Sequence, residues 1–367
     1  MTEMNDAVAV GRPVAETKKR GGARKPSNGK GRRNLEIFIL SAPAIILFCC
    51  FVILPIILGA YYGFYQWKGF GTPAENGKFV GLQNYIVALK DPNFQQAILH
   101  TFEIVIGSLV IQGPLAILFA LLLNQKFKGR GLIRTLIFVP YVVSEVIVGT
   151  GWSLLLQKKG AVNQILESLG MHGVDWLANP KVAIWTLLLL ISWKYIGFAV
   201  ILMLAGMQSI PEELYEAAKV DGAGFWQIQK SITLPLLAPT LRIWVFLSMI
   251  GSLQLFDLVY IIWGQYVSTT AGVSTMATYM VREGRGAGNY GYGSAVALII
   301  FVISLIVALT YQHFVLNRDL DGALTEKKAS KKRKKRQTAE DEALAVAMEG
   351  VKSVECCNGI FQEQRFP

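Results

Sequence analysis

Long apolar runs alternate with shorter polar stretches along this chain, at roughly Ile37–Tyr62, Ala97–Leu123, Leu132–Leu156, Val182–Met207, Leu241–Trp263 and Ser294–Phe314. A helix needs about 20 mainly apolar residues to cross a hydrocarbon layer of roughly 30 Å, and only a helix or a closed barrel satisfies its own backbone there. Each run reaches that length. The pattern therefore predicts an all-α, polytopic membrane protein with six transmembrane helices. Its first run is too long for the apolar core of a signal peptide and reads as a retained anchor. Dense positive charge flanks the spans in the N-terminal KKRGGARKPSNGKGRR, in the link NQKFKGRGLIR with Lys126, Lys128, Arg130 and Arg134, and in the C-terminal KKASKKRKKR. Basic flanks stay in the cytoplasm. Both termini and the link between the fourth and fifth spans are then expected inside. The expected organisation is a disordered basic tail over 1–35, a six-span domain over 36–318 and a disordered basic then mixed-charge tail over 319–367.

The fourth-to-fifth link, 208–239, is the longest polar interruption placed inside, and it contains EAAKVDGAGFWQIQKSITLP. Ser209, followed by Ile210-Pro211-Glu212, reads as a helix start, with a capping hydroxyl, an early proline and a glutamate three residues on. The helix should run through EELYEAAKV and break at Asp221-Gly222-Ala223-Gly224, because glycine accepts positive φ. A second short helix should reach Thr233 before Leu234-Pro235 stops it. Leu214, Ala217 and Ala218 share one face of the first helix. Two readings of that face stand open at this point: it packs on the bundle as a cap, or it receives another chain.

Composition agrees with burial in lipid: 53% of residues are hydrophobic, 17% are charged and the mean hydropathy is +0.41. The net charge of +11 is crowded at the ends and in short loops, which fits attraction to membrane lipid and argues against nucleic acid. Cysteines fall as adjacent pairs, Cys49–Cys50 and Cys356–Cys357, and His100, His172 and His313 stand singly, so no metal site is indicated. Charges within spans are costly and mark function or pairing. Lys194, between Trp193 and Tyr195, calls for a carboxylate from Glu145 or Asp257; such a pair either lines a polar cavity or ties spans together. Glu103 is a further intramembrane carboxylate, and Gly197, Gly206 and Gly251 read as close helix approaches or flexible points.

From Glu216 the chain reads Glu-Ala-Ala, three residues, Gly222, nine residues, Ile232, one residue and Leu234-Pro235. This resembles in full the EAA motif of the membrane subunits of binding-protein-dependent ABC importers. Further similarity to their sugar-permease branch is carried by Phe79-Val80-Gly81-Leu82-Gln83-Asn84-Tyr85, Gly151-Trp152, Gly160 with Asn163, Gln208 with Ile210-Pro211, Asp221-Gly222-Ala223 and Phe256-Asp257. After Phe256-Asp257 the chain departs from the Thr-Gly-Gly-Pro-like continuation of such permeases and reads LVYIIWGQYVSTTAGVST.

The resemblance implies a coupling helix pair that docks in a cleft of an ATP-binding subunit, with Glu216 facing a basic residue there. Ala217 and Ala218 would form the tight contact, Gly222 would set the turn, and Asp221, Ile232, Leu234 and Pro235 complete the motif. It further implies a prokaryotic inner-membrane protein without catalytic residues, partnered by a second, different permease, two ATP-binding subunits and an extracytoplasmic solute-binding protein. A homodimer is the alternative. ATP and Mg belong to the partners, since no GxxxxGK[ST] occurs here. The substrate implied is a sugar or oligosaccharide, with a glycerophosphodiester or polyol as the alternative; Trp193, Tyr195, Gln254, Asp257 and Tyr260, with Glu145 and Lys194, are the candidates along its path. An ATP-independent secondary transporter and an intramembrane enzyme using His100, Glu145 and Asp257 are the competing classes. Neither accounts for the coupling motif, and no HExxH or GxSxG supports the enzyme.

Overall fold

The computed structural model of the protein describes residues 29–125 and 127–316. The N-terminal basic run up to residue 28, Lys126, the Lys327–Arg336 run and the remaining C-terminal residues lie outside the described residues, as do the expectations placed on them. Two units are distinguished, one ending at Ile57 and one starting at Leu58. The first contains α1 (Gly29–Phe48), a π turn at Cys49–Ile53 and the start of α2 (Leu54–Gly63). The π turn precedes Pro55: proline lacks an N–H and crowds the carbonyl four residues back, so widening the preceding turn, with Leu54 N–H bonded to Cys49 O, lets the helix continue.

In the second unit, strands β1 (Tyr65–Gln66) and β2 (Lys78–Phe79) pair antiparallel, with Tyr65 opposite Phe79. Helix α3 (Gln83–Lys90) leads to α4 (Pro92–Asn124), whose start is fixed by Asp91 Oδ1 accepting from Asn93 N at 2.8 Å. Then come α5 (Arg130–Val142), α6 (Glu145–Leu155), α7 (Ala161–Ser168) and α8 (Pro180–Gln208). The chain continues through α9 (Glu212–Val220), α10 (Phe225–Ile228), a π turn at Gln229–Thr233, α11 (Leu234–Leu253), α12 (Asp257–Thr270), α13 (Met276–Val281) and α14 (Tyr290–Tyr311).

Helix α8 is the hub, packing against α4, α5 and α11. It is apolar all round, as a helix enclosed by others must be, and 61% of its most apolar stretch is buried, against 22% for the last span. Two clusters fill the space around it: Ile104, Leu187, Leu188, Ile191, Leu258 and Val259, and, nearer its C-terminus, Ala120, Leu123, Met203, Met207 and Leu237. Small residues bring backbones together. A Cβ on Gly197 would sit against Ile137 O of α5, and one on Gly206 would meet Thr240 and Leu237 of α11. Gly251 does not serve that purpose, because a Cβ there would meet nothing within 4 Å.

Among the described residues, five helical stretches are long and apolar enough to cross a membrane, and a bent pair, counted as one span, brings them to six. Ile37–Gly63, Pro92–Asn124, Pro180–Gln208 and Tyr290–Val315 coincide with predicted spans. The third predicted span is not one rod: α5 and α6 meet at 93°. The fifth begins well before Leu241 and breaks at Gln254–Phe256, ahead of Trp263. Leu255 O, freed by that break, accepts from the buried Thr275 hydroxyl at 2.8 Å. Leu234-Pro235 does not stop the second hairpin helix either; the π turn at Gln229–Thr233 takes up Pro235 as the earlier one takes up Pro55.

The hairpin and the β ribbon occupy opposite ends of the bundle. Tyr311 OH at the end of α14 donates to Arg242 O, eight residues into α11, at 3.0 Å, whereas Gly291 N at its start donates to Trp67 O at 3.1 Å. At the ribbon end, Tyr279 OH donates to Asp91 Oδ2 at 2.5 Å. Burial, reinforced by that carboxylate, holds the Tyr279 phenol well above its usual range, so it remains a donor.

The close approach at Gly197 sets a test of the packing. Gly197→Ala should lower the unfolding free energy in detergent by about 1–3 kcal/mol, as overpacking does, while Gly251→Ala should leave it unchanged.

Candidate functional site

Two regions bring the predicted residues together, a polar hairpin at one end of the bundle and a cavity among the spans. The hairpin is α9, a turn, and α10 continued into α11. Its start differs from expectation: Ser209 Oγ does not cap α9 but donates back to Gly206 O at 2.7 Å, closing α8, and extended Pro211 precedes α9 with no side-chain cap. Its turn is as expected. Gly222 has φ +78°, Gly222 N bonds Lys219 O at 3.0 Å and Ala223 N bonds Ala218 O at 2.9 Å, the paired bonds of a Schellman C-cap. Ala218 thus contributes its carbonyl to the turn that aims α10.

Ile228 and Thr233 of the second arm are buried, and Tyr215 OH of α9 shares a hydrogen bond with Thr233 Oγ1 at 3.2 Å, tying the two arms together. Ile232 is half-buried; Leu234 and Pro235 are exposed. The opposite side is open: Glu216, Ala217, Asp221 and Gly222 are exposed, and so are Leu214, Val220, Phe225 and Trp226, the last at 72%. The Leu214–Ala217 face is therefore not packed on its own bundle. Phe225 and Trp226, in edge-to-face contact at 5.4 Å, extend that apolar surface. Their exposure was not anticipated, although two aromatics directly after a glycine turn in a polar link are its visible sign.

Among the spans, Lys194 is buried at 2% exposure. Its ammonium donates to Val143 O at 2.7 Å and Pro140 O at 3.4 Å, and lies 3.6 Å from Glu145 Oε1. Tyr195 OH donates to that same oxygen at 2.6 Å. The two carbonyls close α5, where a helix leaves C=O groups unsatisfied and its dipole favours a cation. Glu145 opens α6, where the dipole favours an anion, and Ser144 Oγ accepts from Val146 N at 3.3 Å. The 93° break in the third span is thus clamped from α8 by adjacent residues. Of the two carboxylates considered for Lys194, Glu145 is the one beside it; Asp257 stands exposed in the first turn of α12.

Next to the clamp lies a cavity of about 210 Å3. Tyr195 is the predicted residue that lines it, together with Gln112, Tyr141, Phe198, Trp244 and Ser252 among others. Tyr141 stacks on Phe198 at 5.2 Å and meets Tyr195 edge-on at 6.1 Å. Trp193, Gln254, Asp257 and Tyr260 are not brought to this cavity. Trp193 packs edge-to-face on Trp152 at 5.5 Å, and Tyr260 stacks on Phe256 at 5.0 Å. The lining residues Gln112 and Ser252 carry no sequence signal of their own, since a single polar residue in a span reads alike whether it faces a cavity or a neighbour. Among the described residues, no group of three His, Cys, Asp or Glu side chains has the arrangement of a metal site.

Comparison with known proteins agrees with this architecture. Residues 112–321 match the family described as binding-protein-dependent transport system inner membrane component. The trehalose/maltose transport system permease protein MalF of Thermococcus litoralis is 33% identical over 275 residues, covering 75% of this chain and 91% of the relative. The arabinooligosaccharides transport system permease protein AraP of Bacillus subtilis is 31% identical over 275 residues, covering 74% and 86%. Among solved structures, a bacterial ABC transporter involved in import of the acidic polysaccharide alginate contains a chain that aligns with a TM-score of 0.66 at 28% identity, over 77% of this chain and 95% of that one. A complex of such an alginate transporter with a pentasaccharide-bound periplasmic protein aligns with a TM-score of 0.67 at 27% identity, over 77% and 94%. The chain belongs to the family of inner membrane components of binding-protein-dependent transport systems, the non-catalytic permease components of ABC importers.

The clamp predicts an asymmetric response. Lys194→Met should lower the unfolding free energy in detergent by about 3 kcal/mol, the usual cost of removing one partner of a buried ion pair. Glu145→Gln, which keeps an oxygen for Tyr195 and Lys194, should cost clearly less.

Proposed function

From membership of that family, we propose that the chain is the transmembrane subunit of an ATP-driven importer that takes up a sugar or oligosaccharide. The carrying observation is that the complete Glu216–Pro235 motif lies on a hairpin whose apolar face has no cover among the described residues. In this reading the hairpin faces the cytoplasm, as do both termini, and enters a cleft of an ATP-binding subunit. Glu216 meets a basic residue of that subunit, Ala217 and Ala218 give close contact, Asp221 and Gly222 set the angle, and Ile232, Leu234 and Pro235 join the hairpin to α11. Two such subunits bind ATP and Mg, and a second, different permease completes the membrane part in the prokaryotic inner membrane. Domain limits of 1–35, 36–318 and 319–367 follow from the same reading, with the helix of the first span already begun at Gly29.

ATP closure of the partners moves the hairpins and favours one of two packed arrangements of the spans, so that the cavity opens to one side and then the other. Substrate is delivered at the ribbon end by an extracytoplasmic binding protein. Saccharide is favoured by the cavity itself, where aromatic rings of Tyr141, Tyr195, Phe198 and Trp244 stand with the polar side chains of Gln112, Ser248 and Ser252 and no charged residue. Trp193, Gln254, Asp257 and Tyr260 serve, in this reading, along the approach rather than in the cavity. The sugars in the names of the permease relatives, trehalose, maltose and arabinooligosaccharides, support that substrate class.

Purification of the tagged chain from its native membrane should bring down an ATP-binding protein. In the reconstituted complex, Glu216→Ala combined with Gly222→Val should reduce substrate-stimulated ATP hydrolysis at least about tenfold, a loss of roughly 1.4 kcal/mol in coupling, with membrane insertion unchanged. Uptake that proceeds at full rate without any ATPase would refute the proposal.

A further inference from the structure

The clamp and the cavity share a residue. Tyr195 presents its ring to the cavity and its hydroxyl to Glu145 Oε1 at 2.6 Å. Glu145 is the first residue of α6, so this single side chain spans from the solute space to the second half of the broken third span. The other half is engaged in the same way: Tyr141, whose ring also lines the cavity, lies in the last turn of α5 and meets the Tyr195 ring at 6.1 Å. Lys194, the neighbour of Tyr195 on α8, holds the carbonyls that end α5 and the carboxylate that opens α6. Any change in the angle between α5 and α6 must therefore either move these rings in the cavity or break the Tyr195–Glu145 bond.

We propose that Tyr195 is a positioning residue for transport, holding the bend of the third span through Glu145 and so linking what occupies the cavity to the arrangement of the two half-helices. The proposal rests on the importer reading for its link to transport, but its mechanical part does not. Glu145 is suited to the role because its Oε2 atom is buried and has no hydrogen-bond partner among the described residues. Buried polar atoms seldom stay unpartnered, and a carboxylate held by one oxygen alone has a second acceptor site to offer when the bend changes. Two arrangements of the break, with different partners for the two oxygens, would form the bistable element that a conformational switch requires.

The test uses the complete transporter in lipid nanodiscs, with spin labels at Leu136 on α5 and Ile147 on α6, which are 61% and 66% exposed. Without sugar, the wild-type complex should give one narrow distance between labels. Tyr195→Phe, which keeps the ring, should broaden or split that distribution. Glu145→Gln, which weakens the same bond by removing the charge, should do likewise, and the double variant should be no worse than Tyr195→Phe. In uptake assays with maltose and with trehalose, Tyr195→Phe should lower turnover about tenfold, as loss of a hydrogen bond to a charged group does. Half-saturation should stay within about twofold of wild type on the same grounds, because the ring that meets the solute is retained. An unaltered distance distribution, unaltered turnover, or a loss of affinity in place of turnover would overturn the inference. Should wild type take up neither sugar, that result counts against the substrate reading alone, and the sugar-free distances decide this one.

Discussion

A backbone that leaves helical geometry inside a bilayer must find new partners for its freed carbonyls and amides, and the breaks in the third and fifth spans are built around that requirement. The third span breaks where Lys194 supplies donors to Pro140 O and Val143 O. The fifth breaks where Thr275 supplies one to Leu255 O. Before Pro55 and Pro235, where a proline would otherwise cost a bond, the helix widens by one residue per turn and continues. The price of a polar group among apolar spans is met locally in each case, by a side chain from a neighbouring helix or a change of helical pitch.

These breaks give the bundle its working parts. The bend between α5 and α6 puts Tyr141 beside Tyr195 and Phe198 and so forms one side of the cavity. The π turn at Gln229–Thr233 makes the second arm of the hairpin continuous with α11, so a displacement of Phe225 or Trp226 is carried along a single rod toward Trp244 and Ser248 in the cavity wall. A flexible loop after Thr233 would have absorbed that displacement. The Schellman turn at Gly222 fixes α9 to the same rod, which gives the exposed surface two arms at a set angle.

Much of this is legible in the sequence. Spans whose apolar run is long and uninterrupted, such as Pro92–Asn124 and Pro180–Gln208, are found within a few residues of where hydropathy puts them, because burial of side chains and internal satisfaction of the backbone point to the same segment. The Gly222 turn was legible because positive φ admits few residues other than glycine. What hydropathy could not give was the bend at Val143–Ser144. Both halves are apolar, and the donor that satisfies the freed carbonyls is a lysine on another helix. For the same reason the cavity lining was mostly missed. Aromatic and charged residues drew attention to Trp193 and Asp257, whereas which face of a helix meets an empty space depends on three neighbouring helices at once. Ser209 and Leu234-Pro235 were misread because local rules for caps and prolines gave way to a bond back to α8 and to a π turn.

The role proposed for the exposed hairpin is to receive force from ATP hydrolysis in a partner chain. Val220, 88% exposed beside the Gly222 turn, offers the direct measurement: a single cysteine at that position, in a chain whose four native cysteines are replaced by serine, with a short bifunctional cross-linker in native membranes. A cross-linked product with an ATP-binding subunit is expected, formed in inside-out vesicles and altered in yield by ATP with vanadate. Labelling of that cysteine from the outer face of intact cells, with no product to an ATP-binding chain, would contradict it.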